Sequence, residues 1–198
     1  MTGIVLAGGQ SKRLGTAKAL LRLGNETFLE RAVSVLRGAC QHVIVVSDPR
    51  SPVTSVPGCT MATDERPGLG PLGGLVTGLA ASDDEWHLAL GCDLPLVKLG
   101  ILRLLMAESS ATEAVVPRAG GRLQPLLAAY SRTCVGPARA ALDSGRRAIT
   151  ALLDQVQVKI VKEAQLREAD PDLVSFTNVN TWDDYQALLR MEQANAKG

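Results

Sequence analysis

The residues with most chemistry to offer stand near the N-terminus. Gly8-Gly9 is followed by Ser11, Lys12, Arg13, Gly15 and Lys18, directly after the apolar run Ile4-Val5-Leu6 and Ala7. Adjacent glycines let backbone N–H groups approach a ligand with no Cβ in the way, and successive exposed N–H groups make an anion-binding concavity. With three cations added, the stretch predicts a phosphate cradle at the end of a first strand. Spacing excludes two common phosphate loops. The Walker pattern needs Gly, four residues and Gly-Lys-Ser/Thr, whereas Gly15 is followed by Thr16-Ala17 and five residues separate it from Gly9. The dinucleotide fingerprint G-x-G-x-x-G is also absent.

Two further stretches carry acids. Asp93 follows the apolar run Trp86 to Gly91 and precedes Leu94-Pro95, so it sits just past the carboxyl end of a predicted central strand, where ligands of open α/β sheets bind. A lone Asp in that position can equally be a helix cap or turn residue; the rigid turn at Pro95 and the phosphate loop on the same sheet edge favour a metal. Asp64 precedes a glycine-rich segment, Gly68-Leu69-Gly70-Pro71-Leu72-Gly73-Gly74. Pro71 suits the first turn of a helix, and a helix N-terminus after a glycine loop favours anions. Close packing of that helix on the sheet through Gly73 and Gly74 is the plainer explanation, and the two are compatible.

These residues must be positioned by strands and helices in alternation. His42 to Val46, Trp86 to Gly91 and Ala114 to Pro117 are continuous apolar runs, which mark strands buried on both faces and hence a parallel sheet. Thr27-x-x-Glu30 is a capping box, and Leu29, Ala32, Val33 and Leu36 give the following helix its apolar stripe to about Gly38. Leu99 to Met106 and Val135 to Asp143 read as further helices, the latter stopped at Gly145. Val156 to Ile160 alternates, so it predicts an edge strand with one exposed face. Asn178 and Asn180 flank Val179, which puts both amides on one face of an extended segment and Val179 on the other; a second capping box, Thr181-x-x-Asp184, opens the last helix. Asp48 to Gly58, rich in Pro and Ser, reads as a surface loop. The fold predicted is one Rossmann-like, three-layer α/β/α domain over residues 1–192 with a mostly parallel central sheet. Residues 1–95 would form a nucleotide-binding half and 96–192 an acceptor half, with 193–198 a frayed tail.

Composition narrows the function. The chain has 198 residues, 46 % of them hydrophobic, and a net charge of +1, which argues against nucleic acid or an anionic membrane as partner. No uninterrupted apolar span is long enough for a transmembrane helix. Cys40, Cys59, Cys92 and Cys134 include no C-x-x-C pair, so zinc and thioredoxin-like chemistry fall away, and a reduced, cytoplasmic thiol set is expected. His42 and His87 begin apolar runs, where a surface or strand-edge place is the default.

The motifs together, Leu6-Ala7-Gly8-Gly9, Arg13, Lys18, Asp64 before Gly70-Pro71-Leu72-x-Gly74, Cys92-Asp93-Leu94-Pro95, Gln124-Pro125-Leu126, Gly145-Arg146-Arg147 and Phe176-x-Asn178-Val179-Asn180-Thr181, resemble the molybdenum cofactor guanylyltransferase family over nearly the whole chain. The resemblance implies transfer of GMP from GTP to the phosphate of molybdopterin with release of pyrophosphate. It implies that Leu6, Ala7, Gly8, Gly9, Ser11, Lys18, Asp64, Gly70 and Asp93 meet the nucleotide, that Arg13, Lys18 and Asp93 are catalytic, and that Asp93 holds Mg²⁺. Arg147, Asn178 and Asn180 match acceptor-side positions. Molybdoenzymes or other cofactor-biosynthesis proteins are the implied protein partners. In one departure, Ala17 stands where the family usually has Asp before the loop lysine. Gly8 stands where related cytidylyltransferases have Ala, leaving more room for a purine. Two alternatives stay open: a transferase of the same fold with a cytidine donor or sugar-phosphate acceptor, and a GTP-binding regulatory protein without catalysis.

Overall fold

The computed structural model describes residues 1–8, 17–51, 53, 55–64 and 68–195. In chain order the elements are β1 (Thr2–Leu6), β2 (Arg22–Leu23), β3 (Glu26–Thr27), α1 (Phe28–Arg37), β4 (His42–Ser47), β5 (Thr60–Thr63), α2 (Gly70–Ala80) and β6 (Trp86–Gly91). There follow α3 (Leu99–Ala107), β7 (Ala114–Ala119), β8 (Arg122–Leu123), β9 (Leu127–Ser131), α4 (Val135–Asp143), α5 (Thr150–Leu153), β10 (Val158–Val161), α6 (Glu163–Ala169) and α7 (Trp182–Asn195). The main sheet runs β10-β7-β9-β6-β1-β4-β5, with β8 added beside β7. β1 pairs parallel with β4 and β6, β4 with β5, and β7 with β10, while β9 lies antiparallel between β6 and β7. The sheet is therefore mostly parallel, as expected, with the alternating strand β10 at its edge.

Side-chain alternation along each strand splits the core into two layers. Val5, Val43, Val45, Leu88 and Leu90 face α1, α3 and α6. Ile4, Leu6, Ile44, Val46 and Ala89 face α2, α4 and α5. Helices thus cover both faces of a doubly buried sheet, which is why its strands read as unbroken apolar runs. The α1 capping box is formed: Glu30 N–H donates to Thr27 Oγ1 at 3.1 Å, and Thr27 N–H donates to Glu30 Oε2 at 2.6 Å. On α2 the closest approach is at Gly78, where an added Cβ would lie 2.5 Å from Ile4 Cγ2; the tight helix–sheet contact assigned to Gly73 and Gly74 is centred one turn later.

A third, smaller cluster joins the ends of the chain. Leu21, Leu23 and Phe28 pack with Val179 and Leu188, and Tyr185 closes the group edge-on to Phe28 at 5.9 Å while its hydroxyl donates to the Arg22 carbonyl. The last helix continues to Asn195, past Gln193 where the tail was expected to begin.

His87 corrects the expectation of a surface or strand-edge place. It is fully buried in β6, paired in register with Thr2 and Tyr130. A single histidine at the head of an apolar run carries no mark of which side of the sheet covers it. Burial lowers its pKa, and the N-terminal ammonium and Arg132 lower it further, against the attraction of Asp84 and a Tyr130 backbone contact. A depressed folded-state value means that the unfolded chain binds the proton first. His87's contribution to stability is therefore complete above the ordinary value near 6.5 and is lost as pH falls from there through the lower folded-state value. Denaturant titrations between pH 7.5 and 5 should show a loss of stability that His87→Gln reduces; an unchanged slope in the variant would contradict this.

Candidate active site

The carboxyl ends of β1, β4 and β6 open onto a cavity of about 860 Å³. The strand ends are tied to one another just where the chain leaves the sheet. Ala7 N–H donates to Val46 O at 2.9 Å, Cys92 N–H to Leu6 O at 3.3 Å, and Asp64 N–H to Ser47 O at 2.9 Å. Leu6, Ala7, Gly8, Lys18, Asp64, Gly70, Asp93 and Asn180 all line this cavity. Gly9, Ser11 and Arg13 lie outside the described residues.

Lys18 is the centre of one wall. Its Nζ donates to Asn180 Oδ1 at 2.6 Å and lies 3.8 Å from Asp93 Oδ2. Both side chains are mostly buried, 21 % exposed for Lys18 and 17 % for Asp93. Asp93 does not begin a helix: α3 starts at Leu99 behind Lys98, so the cap explanation for this acid loses its helix. Its backbone carbonyl accepts Val179 N–H at 2.9 Å, which joins the Asp93 turn to the Asn178–Asn180 segment. A Cβ at Gly91 would lie 2.6 Å from Asp93 Oδ1, so a larger residue there would push the carboxylate out of its present place. The neighbouring Cys92 is buried, which pushes its thiol well above the usual range and removes it as a nucleophile.

The segment carrying Asn180 is held from below. Asp170, fully buried, accepts Ser175 N–H at 2.8 Å and pairs with Lys98 at 2.7 Å, while Ser175 Oγ accepts Lys98 N–H at 3.0 Å. Burial raises the Asp170 pKa, yet Lys98 and Ser175 outweigh it and keep the carboxyl ionised below its usual range. At the segment's end Asp184 accepts the N–H groups of Asn180 and Thr181 at 2.9 and 2.8 Å, the capping box expected there.

The three residues grouped on the acceptor side are separated. Asn180 lies in the cavity on Lys18. Asn178 is exposed on the same side of Val179, but its amide turns back to the Phe176 carbonyl at 3.5 Å and does not line the cavity. Arg147 stands beside the glycine loop before α2, where its guanidinium donates to Gly68 O at 3.3 Å and its carbonyl accepts Leu72 N–H at 3.4 Å. Gly70 is fixed by this contact: its φ is +73°, and a Cβ would lie 3.2 Å from Arg147 O. Asp64 points at the first turn of α2, its carboxylate oxygens 3.5 and 3.6 Å from where a Gly73 Cβ would stand.

Among the charged residues that line the cavity, sequence reasoning missed Asp48 and Arg50. Arg50 Nε and Nη2 donate to the Asp48 carboxylate at 2.9 and 3.0 Å, and Arg50 N–H donates to Asp48 Oδ1 at 2.8 Å. These bonds hold the Asp48 carboxyl down to about 2. The signal was an Asp directly after a strand, the same signal used for Asp93, hidden by the Pro and Ser that follow it.

Residues 3–159 match the family described as the MobA-like NTP transferase domain. The chain belongs to that family. It is a nucleotidyltransferase. It is 32 % identical over 189 residues to the molybdenum cofactor guanylyltransferase of Desulfosudis oleivorans, covering 94 % of this chain and 93 % of that one. It is 37 % identical over 188 residues to a probable molybdenum cofactor guanylyltransferase of Bacillus mycoides, covering 92 % of each. The crystal structure of molybdopterin-guanine dinucleotide biosynthesis protein A from Archaeoglobus fulgidus superposes with a TM-score of 0.83 at 26 % identity, over 100 % of both chains.

No helix among the described residues is long and apolar enough to cross a membrane, and none of their His, Cys, Asp and Glu side chains gather in threes as a metal cage.

Proposed function

We propose that the protein transfers GMP from GTP to the phosphate of molybdopterin, releasing pyrophosphate, with Mg²⁺ as the metal. The observation that carries this reading is the Lys18–Asp93–Asn180 cluster, a cation and a carboxylate held together at the carboxyl edge of the sheet beside a cavity large enough for a nucleotide. The relatives' names supply the donor and acceptor.

The donor set fits Mg²⁺. This ion takes one or two carboxylates plus phosphate oxygens and water rather than a full protein cage, and Asp93, a carboxylate on the wall of a cavity with a second acid at Asp64, offers that. Bound there, Mg²⁺ would neutralise phosphate charge at the reacting centre. The attack of one phosphate on another is opposed mainly by charge repulsion and by the need for alignment. Lys18 meets both: its ammonium is fixed by Asn180 and Asp93, so its charge is preorganised toward the α-phosphate and the departing pyrophosphate. The attacking phosphate is already ionised, so no general base is needed. Arg13, from the phosphate loop, is assigned the outer phosphates. Gly8 lies close to the Asp48 backbone, where a Cβ would stand 3.6 Å from Asp48 N in ordinary contact, so the glycine leaves the room of one methyl group beside the base. Arg147, beside the Gly68–Gly70 stretch of the wall, and Asn180 on the wall itself are assigned to the acceptor together with Asn178, which borders the site two residues before Asn180.

Calorimetry with GTP, ATP, CTP and UTP in Mg²⁺ tests the donor. GTP is expected to bind tightest; CTP binding as tightly as GTP would replace the donor assignment with a cytidylyl one.

A further inference from the structure

We infer that Arg50, held in plane by Asp48, reads the O6/N7 edge of the donor's guanine base. This rests on the guanylyl-transfer reading above and names the residue that supplies its base specificity.

A guanidinium has five N–H donors in a planar arrangement with two usable forks, one along the side through Nε and Nη2 and one at the end through Nη1 and Nη2. Asp48 takes the side fork through both oxygens. The end fork is left over: among the described residues Nη1 has no hydrogen-bond partner, and the Arg50 side chain is 65 % exposed on the cavity wall. A side chain pinned by two bonds on one edge and bare on the other presents a rigid pair of donors to whatever enters the cavity.

Position says what enters. Asp93 and Lys18 mark the phosphate end at the tip of β6, and Asp48 follows the tip of β4, with β1 between them. Adjacent strands lie ~4.8 Å apart, so the two tips are separated by about 10 Å, a span that suits the reach from α-phosphate to base. Gly8 lies against the Asp48 backbone, so the space next to the base is also the space in front of the pair.

Chemistry says which base. Guanine shows two acceptors, O6 and N7, along one edge, and the guanidinium fork matches them. Adenine puts an N6 donor against one arm of the fork, and cytosine an N4 donor; both repel it. Asp48 is a positioning residue, because it fixes the plane without touching the base.

The test uses the full chain, with GTP, ATP, ITP and 7-deaza-GTP as titrants and melting temperature as the folding check. Wild type should bind ITP, which keeps O6 and N7, about as well as GTP. ATP and 7-deaza-GTP should bind more weakly by on the order of tenfold to a hundredfold. Arg50→Ala should bind GTP, ATP and 7-deaza-GTP alike. Arg50→Lys, which keeps the charge but not the fork, should also lose sensitivity to the 7-deaza change. Asp48→Asn should lower the GTP-to-ATP ratio by weakening GTP alone. Arg50→Ala that keeps the wild-type GTP-to-ATP ratio, or still loses affinity on 7-deazation, overturns the inference and leaves the donor assignment standing. Wild type with no preference for GTP over ATP overturns both.

Discussion

Asp93→Asn is expected to lose metal-dependent turnover by on the order of a thousandfold while its melting temperature stays near wild type. Asn has the size of Asp and makes similar hydrogen bonds, but lacks the charge that holds a hard cation. The fold does not need that charge. No helix starts at this residue, the bond from Val179 goes to its backbone carbonyl, and that bond survives the change. The carboxylate's partner is Lys18 at 3.8 Å, an arrangement suited to phosphate and metal chemistry. Titrating the variant with Mg²⁺ at saturating GTP gives the reading: a curve requiring far higher Mg²⁺, or none, supports the role, and wild-type Mg²⁺ dependence excludes it.

Lys18→Ala is expected to cost about 3 kcal/mol of transition-state stabilisation, roughly a hundredfold in turnover, with a smaller change in nucleotide affinity. The ammonium is placed before substrate arrives, by a 2.6 Å bond to Asn180, and a preorganised charge contributes most when negative charge builds on the departing pyrophosphate. Removing it leaves a partly exposed Asp93 without its cation, which the open cavity can hydrate, so the fold is spared. Single-turnover kinetics separate the step from binding; a well-folded Lys18→Ala protein with wild-type rates would remove Lys18 from the chemistry.

Much of this was legible because the signals are local. Trp86 to Gly91 reads as a strand between turn residues and is one, and both capping boxes form from side chains three residues apart. β10 showed its edge position in its alternation. The antiparallel run of β9 was not legible, since a strand buried between two others is continuously apolar in either direction, as Leu127 to Tyr130 is. Helix α6 left little trace, for Leu166 is its one buried residue. In the site, Asp93, Lys18 and Asp64 could be placed because each follows or precedes a strand or a glycine loop. The Asn180–Lys18 bond spans 162 positions, a distance no local pattern encodes. Arg147 and Asn180 were grouped by the family resemblance; in the fold each has its own partner, Gly68 O for Arg147 and Lys18 for Asn180.

The most direct measurement incubates the protein with GTP, Mg²⁺ and molybdopterin, and follows pyrophosphate together with the mass of the pterin product. Pyrophosphate release in step with appearance of the guanine dinucleotide form, dependent on both substrates, is the predicted result. Tight GTP binding with no pyrophosphate and no dinucleotide would contradict it and leave a nucleotide-binding protein without transferase activity.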